Sequence, residues 1–293
     1  MIRNKENLFE LHTKHSTYAF HVLPTGHLEH LYYGRRIRVD EEALSQKHAF
    51  AASNTVTLDQ EHLALTMENE RLEVSSTGKG DFREPMLELI HGDGSATSDF
   101  RFATSEVRKG KEPFRTLPGS FGTEEEVEHL MVVLRDHSYD IELRLHYYVF
   151  EECDVITRSA ELINHEDEPV TIRRMLSMQL DFLDTEYVFT SFHGAHCRDM
   201  EEKIDRPVQS GKIVAATYVG TSSNRVNPFT ILSRTGTTED AGDCYGFNLI
   251  YSGNHCTVCE GSPFFQTRIV SGINPQGFSY LLEKEEGFEA PEA

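Results

Sequence analysis

The chain of 293 residues contains no tryptophan, and its five cysteines have no spacing typical of a disulfide framework. An odd number of thiols without such spacing indicates reduced cysteines in a reducing compartment. No segment approaches the ~20 apolar residues that cross a bilayer, and the first residues have no apolar signal-peptide core. These absences argue against a disulfide-rich secreted scaffold and against a membrane protein, so the cytoplasm is the expected location.

Basic residues are few relative to acidic ones, with 28 Lys and Arg against 48 Asp and Glu and a formal net charge of −20. That charge repels phosphate groups, so nucleic acid and anionic membranes are not expected partners, whereas a neutral sugar is indifferent to it. Apolar residues make up 38% of the chain, including 18 Phe and 11 Tyr. They suffice for a sizeable core, and we expect a globular protein with no metal and no cofactor.

Period-two alternation dominates the sequence, and helical periodicity is scarce. Every second residue is apolar over residues 140–147, as a half-buried strand requires. Similar runs, separated by turn signals, lie at residues 18–23, 86–91, 129–134, 155–163, 170–182, 245–251 and 266–273. Many short strands without intervening helices predict an all-β fold, an antiparallel sandwich or barrel with few short helical segments. No repeat or linker marks a boundary, and we interpret residues 1–293 as one domain.

Residues 40–72, called the 40–72 segment below, form the longest stretch without a clear strand pattern. The string EEALSQKHAFAAS, which begins at Glu41, is compatible with one or two helical turns inside a long loop. Long excursions of this kind often have a functional or interface role.

Two cysteines and two histidines are the first candidates for chemistry. Cys256 and Cys259 form a CxxC within a strand-like run, and residues three apart on a strand point to opposite faces. We therefore predict no metal or redox site there. His193 and His196 lie close to Gly194, which indicates a loop, and neither a third ligand nor an HExxH motif accompanies them.

Glycoside hydrolysis requires two carboxylates held across the scissile bond. Asp181 with Asp184, and Glu239 with Asp240, are the pairs that the sequence offers. Among 48 acidic residues such pairs are expected by coincidence, and turn capping explains them. The residues therefore indicate a scaffold with no catalytic residue, no metal ligand and no identified substrate-binding residue.

Six short strings occur in order along almost the whole chain. They are KGDFREP at 79–85, LPGSF at 117–121, VITRS at 155–159, NPF at 227–229, GFNLIYSGN at 246–254 and GINP at 272–275. In this order and spacing they resemble the amino-terminal region of bacterial α-galactosidases of glycoside hydrolase family 36. By their own chemistry, Asp81 and Arg158 are interpreted as turn or strand-end residues in hydrogen bonds or ion pairs, and Gly253 and Asn274 as turn residues.

The resemblance implies a large antiparallel β-supersandwich that precedes a (β/α)₈ barrel and a small carboxy-terminal β domain. It also implies retaining hydrolysis of terminal α-D-galactosyl residues of melibiose- and raffinose-type sugars by two aspartates of the barrel. On this reading the chain ends before the barrel, so we expect a non-catalytic amino-terminal domain that is inactive alone. Its expected partners are the barrel of the parent enzyme, which acts on galactosides, and further copies in a homo-oligomer.

Loops of this domain in the family reach a neighbouring subunit's active site, and the 40–72 segment is the corresponding region. Here the chain has Gln46, Lys47 and His48 where an acidic contact is expected. An ammonium or imidazole does not replace a carboxylate that accepts sugar hydroxyl bonds, so no binding residue is transferred.

Two alternatives stay open. One is a free-standing carbohydrate-binding or interaction module in which Tyr32, Tyr33 or Phe50 stacks on sugar rings. The other is a self-contained enzyme of another class that uses Asp181 with Asp184 or the histidines.

Overall fold

The computed structural model describes residues 1–48, 58, 60–207 and 209–293. Regular structure in these residues is almost entirely antiparallel β, which confirms the fold class that the alternation predicts. The described helices are α1 (Glu41–Leu44) and a 3₁₀ turn, Glu151–Cys153. The carboxylate of Asp40 caps α1 by accepting the N–H of Ala43 at 3.2 Å. Across the described residues, no helix has the length and apolar character needed to cross a membrane.

The described residues form four β-sheets. The first is a meander in chain order, β1 (Ile2–Lys5), β2 (Leu8–His12), β3 (Ser16–Val22) and β4 (Leu28–Arg35). The second has the order β13 (Lys212–Ala216), β16 (His255–Gly261), β17 (Thr267–Ile273), β10 (Val170–Phe182) and β18 (Tyr280–Leu282), and β5 (Leu87–Ile90) also pairs with β10.

The other two sheets contain the longest hairpins. One has the order β19 (Gly287–Glu289), β9 (Val155–Asn164), β8 (Ile141–Phe150), β7 (Val127–Asp136) and β6 (Phe100–Lys109). The other has the order β12 (Arg198–Asp205), β11 (Tyr187–Ala195), β14 (Val226–Arg234) and β15 (Cys244–Asn248). Every strand-like run read from the sequence corresponds to one of these strands, with ends that differ by a few residues.

Aromatic side chains join the first sheet to the β9–β8 sheet. Phe9 on β2 stacks on Phe20 of β3 with ring centroids 4.8 Å apart, and Phe20 stacks on Tyr147 of β8 at 5.1 Å. All three side chains are fully buried. Burial of each contributes about 1.5–3 kcal/mol, so this stack fixes how the two sheets pack face to face.

Candidate functional site

A buried ion-pair network lies where β10 ends and β17 begins. Asp181 and Arg268 oppose each other in the antiparallel register of these strands. The carboxylate of Asp181 accepts bonds from Nε and Nη2 of Arg268 at 2.8 and 2.7 Å and from Nη1 of Arg83 at 3.2 Å. It also accepts the backbone N–H of Leu72 at 2.9 Å. The side chain of Asp181 is fully buried, and these four donors occupy its carboxylate oxygens.

Asp81 belongs to the same group, which we call the Asp181 network (Asp81, Arg83, Asp181, Gln266 and Arg268). Burial alone would raise the pKa of Asp81, but the guanidinium groups of Arg268 and Arg83 lower it to about 2. Arg83 also donates to the carbonyls of Met67 and Glu70 at 2.6 and 2.8 Å. The network thereby fastens the end of the 40–72 segment to the sheet that contains β10.

A second group, the Glu29 network, holds the start of the same segment. Glu29 on β4 is fully buried and accepts bonds from His21 Nε2 at 2.7 Å and Arg71 Nη2 at 2.8 Å. It also accepts the backbone N–H of Gln46 at 3.0 Å and the hydroxyl of Ser45 at 3.2 Å. Burial opposes ionisation of Glu29, but the bonds from His21 and Arg71 leave its pKa below the ordinary value.

The Glu29 network borders a cleft of about 840 Å³ at the base of the 40–72 segment. Polar residues in its wall include His21, Glu41, Ser45, Gln46 and His48. The imidazole of His48 lies 2.9 Å from the carboxylate of Glu70, and this pairing raises the pKa of His48. The amide of Gln46 accepts from Gln266 at 3.2 Å, which connects the cleft to the Asp181 network. The cleft therefore offers hydrogen-bond donors and acceptors suited to hydroxyl or peptide groups.

Of the residues expected near a neighbouring subunit, Gln46 and His48 face this cleft, while Lys47 is exposed and pairs with Glu42 at 3.3 Å. The expected one or two helical turns of the segment are represented by α1, a single turn. The rest of that expectation, including Phe50, falls on residues 49–57 and 59, outside the described residues.

The acid pairs that the sequence offers lie in different surroundings. Asp184 is partly exposed and binds Arg234 at 2.5 Å, whereas Asp181 is buried against Arg268 and Arg83. Different arginines thus neutralise the two carboxylates. Glu239 and Asp240 lie in an exposed turn between β14 and β15.

The thiol and imidazole candidates are also accounted for by local structure. Cys256 and Cys259 lie on β16, and burial raises the pKa of each thiol to about 12, so both stay protonated.

The prediction that His193 lies in a loop is wrong, because this residue lies within β11, where its imidazole forms a hydrogen bond with the hydroxyl of Ser191 at 2.9 Å. His196 follows in the exposed turn. No cluster of three or more metal-ligating side chains occurs within the residues that the structure describes.

The interpretation of Arg158 as a strand-end residue is also wrong. Arg158 lies inside β9, buried, with its guanidinium 3.2 Å from Glu73 and donating to the hydroxyl of Tyr18 at 2.9 Å. Glu73 also accepts from Tyr147 at 2.8 Å and from His30 at 2.7 Å. These residues form a polar centre between the first sheet and the β9–β8 sheet.

Sequence reasoning missed Glu29, Glu73 and Arg268 as organising residues. For Glu29 and Arg268 the available signal was a charged residue within an apolar strand, as with Arg268, which shares a face of β17 with Val270. Two of the tyrosines considered for stacking on sugar rings have different contacts. The ring of Tyr33 packs against those of Tyr18 and Tyr245, with ring centroids 5.3 Å apart in each pair. The hydroxyl of Tyr32 donates to the carbonyl of Arg35.

The sequence profile described as the glycosyl hydrolase family 36 N-terminal domain matches residues 26–283. The chain belongs to glycosyl hydrolase family 36. This family 36 chain is 37% identical over 297 residues to the bifunctional alpha-galactosidase/sucrose kinase AgaSK of Mediterraneibacter gnavus, covering 98% of the chain and 31% of AgaSK. It is 32% identical over 286 residues to alpha-galactosidase AgaA of Geobacillus stearothermophilus, covering 97% of the chain and 39% of AgaA.

Solved structures agree with this assignment. The galactosidase domain of AgaSK superposes with a TM-score of 0.95 at 34% identity, over 100% of the family 36 chain and 41% of that structure. The crystal structure of AgaA from Geobacillus stearothermophilus gives a TM-score of 0.93 at 32% identity, over 97% of the chain and 40% of that structure. The chain thus spans about a third to two fifths of the length of these relatives and corresponds to their N-terminal domain.

Proposed function

We propose that the chain serves as the non-catalytic N-terminal domain, residues 1–293, of a cytoplasmic α-galactosidase. The parent enzyme hydrolyses terminal α-D-galactosyl residues of melibiose- or raffinose-type oligosaccharides on a separate catalytic barrel. The observation that carries this proposal is the likeness over essentially the whole chain to proteins named as α-galactosidases. The neutralisation of Asp181 and Asp184 by separate arginines supports assigning no catalytic residue to the chain.

The domain packs on the barrel and supports a homo-oligomer in which the 40–72 segment approaches a neighbouring sugar pocket. The Glu29 and Asp181 networks support this role, because they hold both ends of that segment through buried charged bonds. Such bonds fix the backbone at the base of a long loop, so that the loop is presented from a rigid support.

A chimera tests the proposal. This chain replaces the matching N-terminal part of Geobacillus AgaA, and hydrolysis of an aryl α-galactoside is measured against intact AgaA. We expect kcat/KM within about tenfold of the intact enzyme, since the barrel keeps its own catalytic groups. The matched negative control is this chain alone, for which we expect no turnover above the blank.

Three results would contradict the proposal. One is turnover by the chain alone that a single acidic substitution abolishes. Another is a folded chimera with no activity. The third is calorimetric binding of melibiose or raffinose to the chain alone with micromolar affinity, which would favour a carbohydrate-binding module.

A further inference from the structure

Two strand edges, one from β9 and one from β15, face each other across a groove of about 350 Å³. The groove is lined by residues 155–158 of β9 and by residues 246–248 and Ile250 at β15. β15 is the last strand of its sheet, and on this side β9 pairs with β19 only over residues 161–163. We call this groove the β9–β15 gap.

The backbone of β9 directs hydrogen-bonding groups into the gap. Arg158 donates its N–H to the carbonyl of Ala293 and accepts the N–H of Ala293, both at 2.8 Å. Alternate residues of an antiparallel strand direct their N–H and C=O groups to opposite sides. Ile156 therefore directs its N–H and C=O towards the same side as Arg158, past the point where Ala293 covers the edge.

The backbone of β15 and of the two residues after it also directs hydrogen-bonding groups into the gap, from the opposite wall. Leu249 donates its N–H to the carbonyl of Pro228 at 3.1 Å, towards β14, whereas Ile250 donates to the carbonyl of Glu292 at 2.8 Å, towards the gap. By the same alternation, Gly246 and Asn248 direct their N–H and C=O groups into the gap. Residues 292 and 293 thus occupy the entrance of the gap, each bonded to one wall.

We infer that the β9–β15 gap binds one extended strand that continues from Ala293, antiparallel to both β9 and β15. The antiparallel pairing of Glu292 with Ile250 and of Ala293 with Arg158 sets its register. The strand joins two sheets into one that runs β6, β7, β8, β9, the added strand, β15, β14, β11 and β12. This inference rests on the proposed function, in which the residues that follow this domain in a longer enzyme supply the strand.

The walls also specify the side chains of the strand. When the register of Glu292 and Ala293 is continued, the second residue of the added strand lies between Ile156 on one wall and Phe247 on the other. Beneath that position are apolar and aromatic side chains, namely Tyr18, Tyr33, Met178 and Leu180. An apolar second residue is therefore buried, while the first and third residues point to the other face. Each of the three requires a backbone N–H, which excludes proline.

A carboxy-terminal extension of the full chain tests the inference. The added peptide is Thr-Val-Thr-Val-Ser, and the matched control peptide is Thr-Pro-Thr-Pro-Ser. We expect the first to raise the melting temperature by at least about 3 °C and the control by less than about 1 °C. Amide hydrogen exchange at Ile156, Gly246 and Asn248 should slow by at least about tenfold with the first peptide only.

The variant Ile156→Pro removes the N–H that faces the gap, while the ladder from β9 to β8 uses the alternate residues. In this variant the valine extension should raise the melting temperature by less than about 1 °C. Equal effects of the two extensions, or unchanged exchange at the three amides of the unsubstituted chain, would overturn the inference. The exchange measurement decides the matter if Ile156→Pro fails to fold.

Failure of this inference is distinguishable from failure of the proposed function. Protected amides in the extended chain together with an inactive chimera would support the added strand and contradict the enzyme assignment. An active chimera together with unprotected amides would contradict the added strand alone.

Discussion

Replacing Asp181 by asparagine is expected to lower the free energy of unfolding by about 3–5 kcal/mol, because it leaves the two buried arginines, Arg83 and Arg268, with the single counter-charge of Asp81. Arg268 is 1% exposed and donates two bonds to Asp181, and Arg83 donates a third. Asparagine keeps the size of the side chain but offers one acceptor oxygen in place of two. The loss is a large part of the about 5–15 kcal/mol by which a folded protein is stable.

Equilibrium unfolding in urea measures this effect. With a slope of about 3 kcal/mol per molar urea, a loss of 3–5 kcal/mol lowers the midpoint by about 1–2 M. Asp184→Asn is the matched control, because it changes the same group three residues later but breaks only a partly exposed pair with Arg234. Such a pair contributes about 0–1 kcal/mol. Equal midpoint shifts in the two variants would refute the assignment of Asp181 as an organising residue.

Three further predictions concern other buried groups. Burial lowers the pKa of His129 to about 4 and that of His146 to about 3, so below pH 6.5 the unfolded state binds more protons. The free energy of unfolding should fall by about 1.4 kcal/mol per pH unit per histidine from pH 6.5 towards 4, and the double substitution to glutamine should flatten this slope in urea titrations. A thiol reagent should modify three exposed cysteines rapidly, and Cys256 and Cys259 only in denaturant. Arg158→Lys should cost about 2–3 kcal/mol in urea unfolding, because an ammonium lacks the planar fork that bonds several acceptors.

Each of these has a clear contrary result. An unchanged pH slope in the glutamine variant would show that other groups cause the acid sensitivity. Rapid modification of all five thiols in the native protein would contradict the buried positions on β16. A loss below about 0.5 kcal/mol for Arg158→Lys would mean that the hydrogen bonds of Arg158 contribute little.

Strands such as β5, in which buried and half-buried residues alternate, were predictable because burial of one face imposes alternation directly on the sequence. The same alternation places Arg158 at an inward position with Ile156 and Ala160, yet we interpreted it as a strand-end residue. Its partner Glu73 lies outside any regular strand and 85 residues away, so no local pattern predicts the pair.

The candidate site was less predictable than the fold. The sequence marked Asp181 only as one of two neighbouring acidic residues. Its place in the buried network depends on Arg83 and Arg268, which lie 98 and 87 residues away in the chain. His193 illustrates a local error of a different kind. Gly194 beside it indicated a loop, but that glycine lies in β11 where the carbonyls of Asn224 and Arg198 approach too closely for a side chain.

The position of β10 in its sheet has a consequence for synthesis of the protein. Its first half pairs with β5 and β18, and its second half pairs with β17. β10 ends at Phe182, whereas β18 ends at Leu282, about 100 residues later. At about 5–20 residues per second, a ribosome takes roughly 5–20 s to cover that distance. During this interval a long apolar strand has only part of its partners, so β10 is the segment on which a nascent-chain chaperone is expected to act.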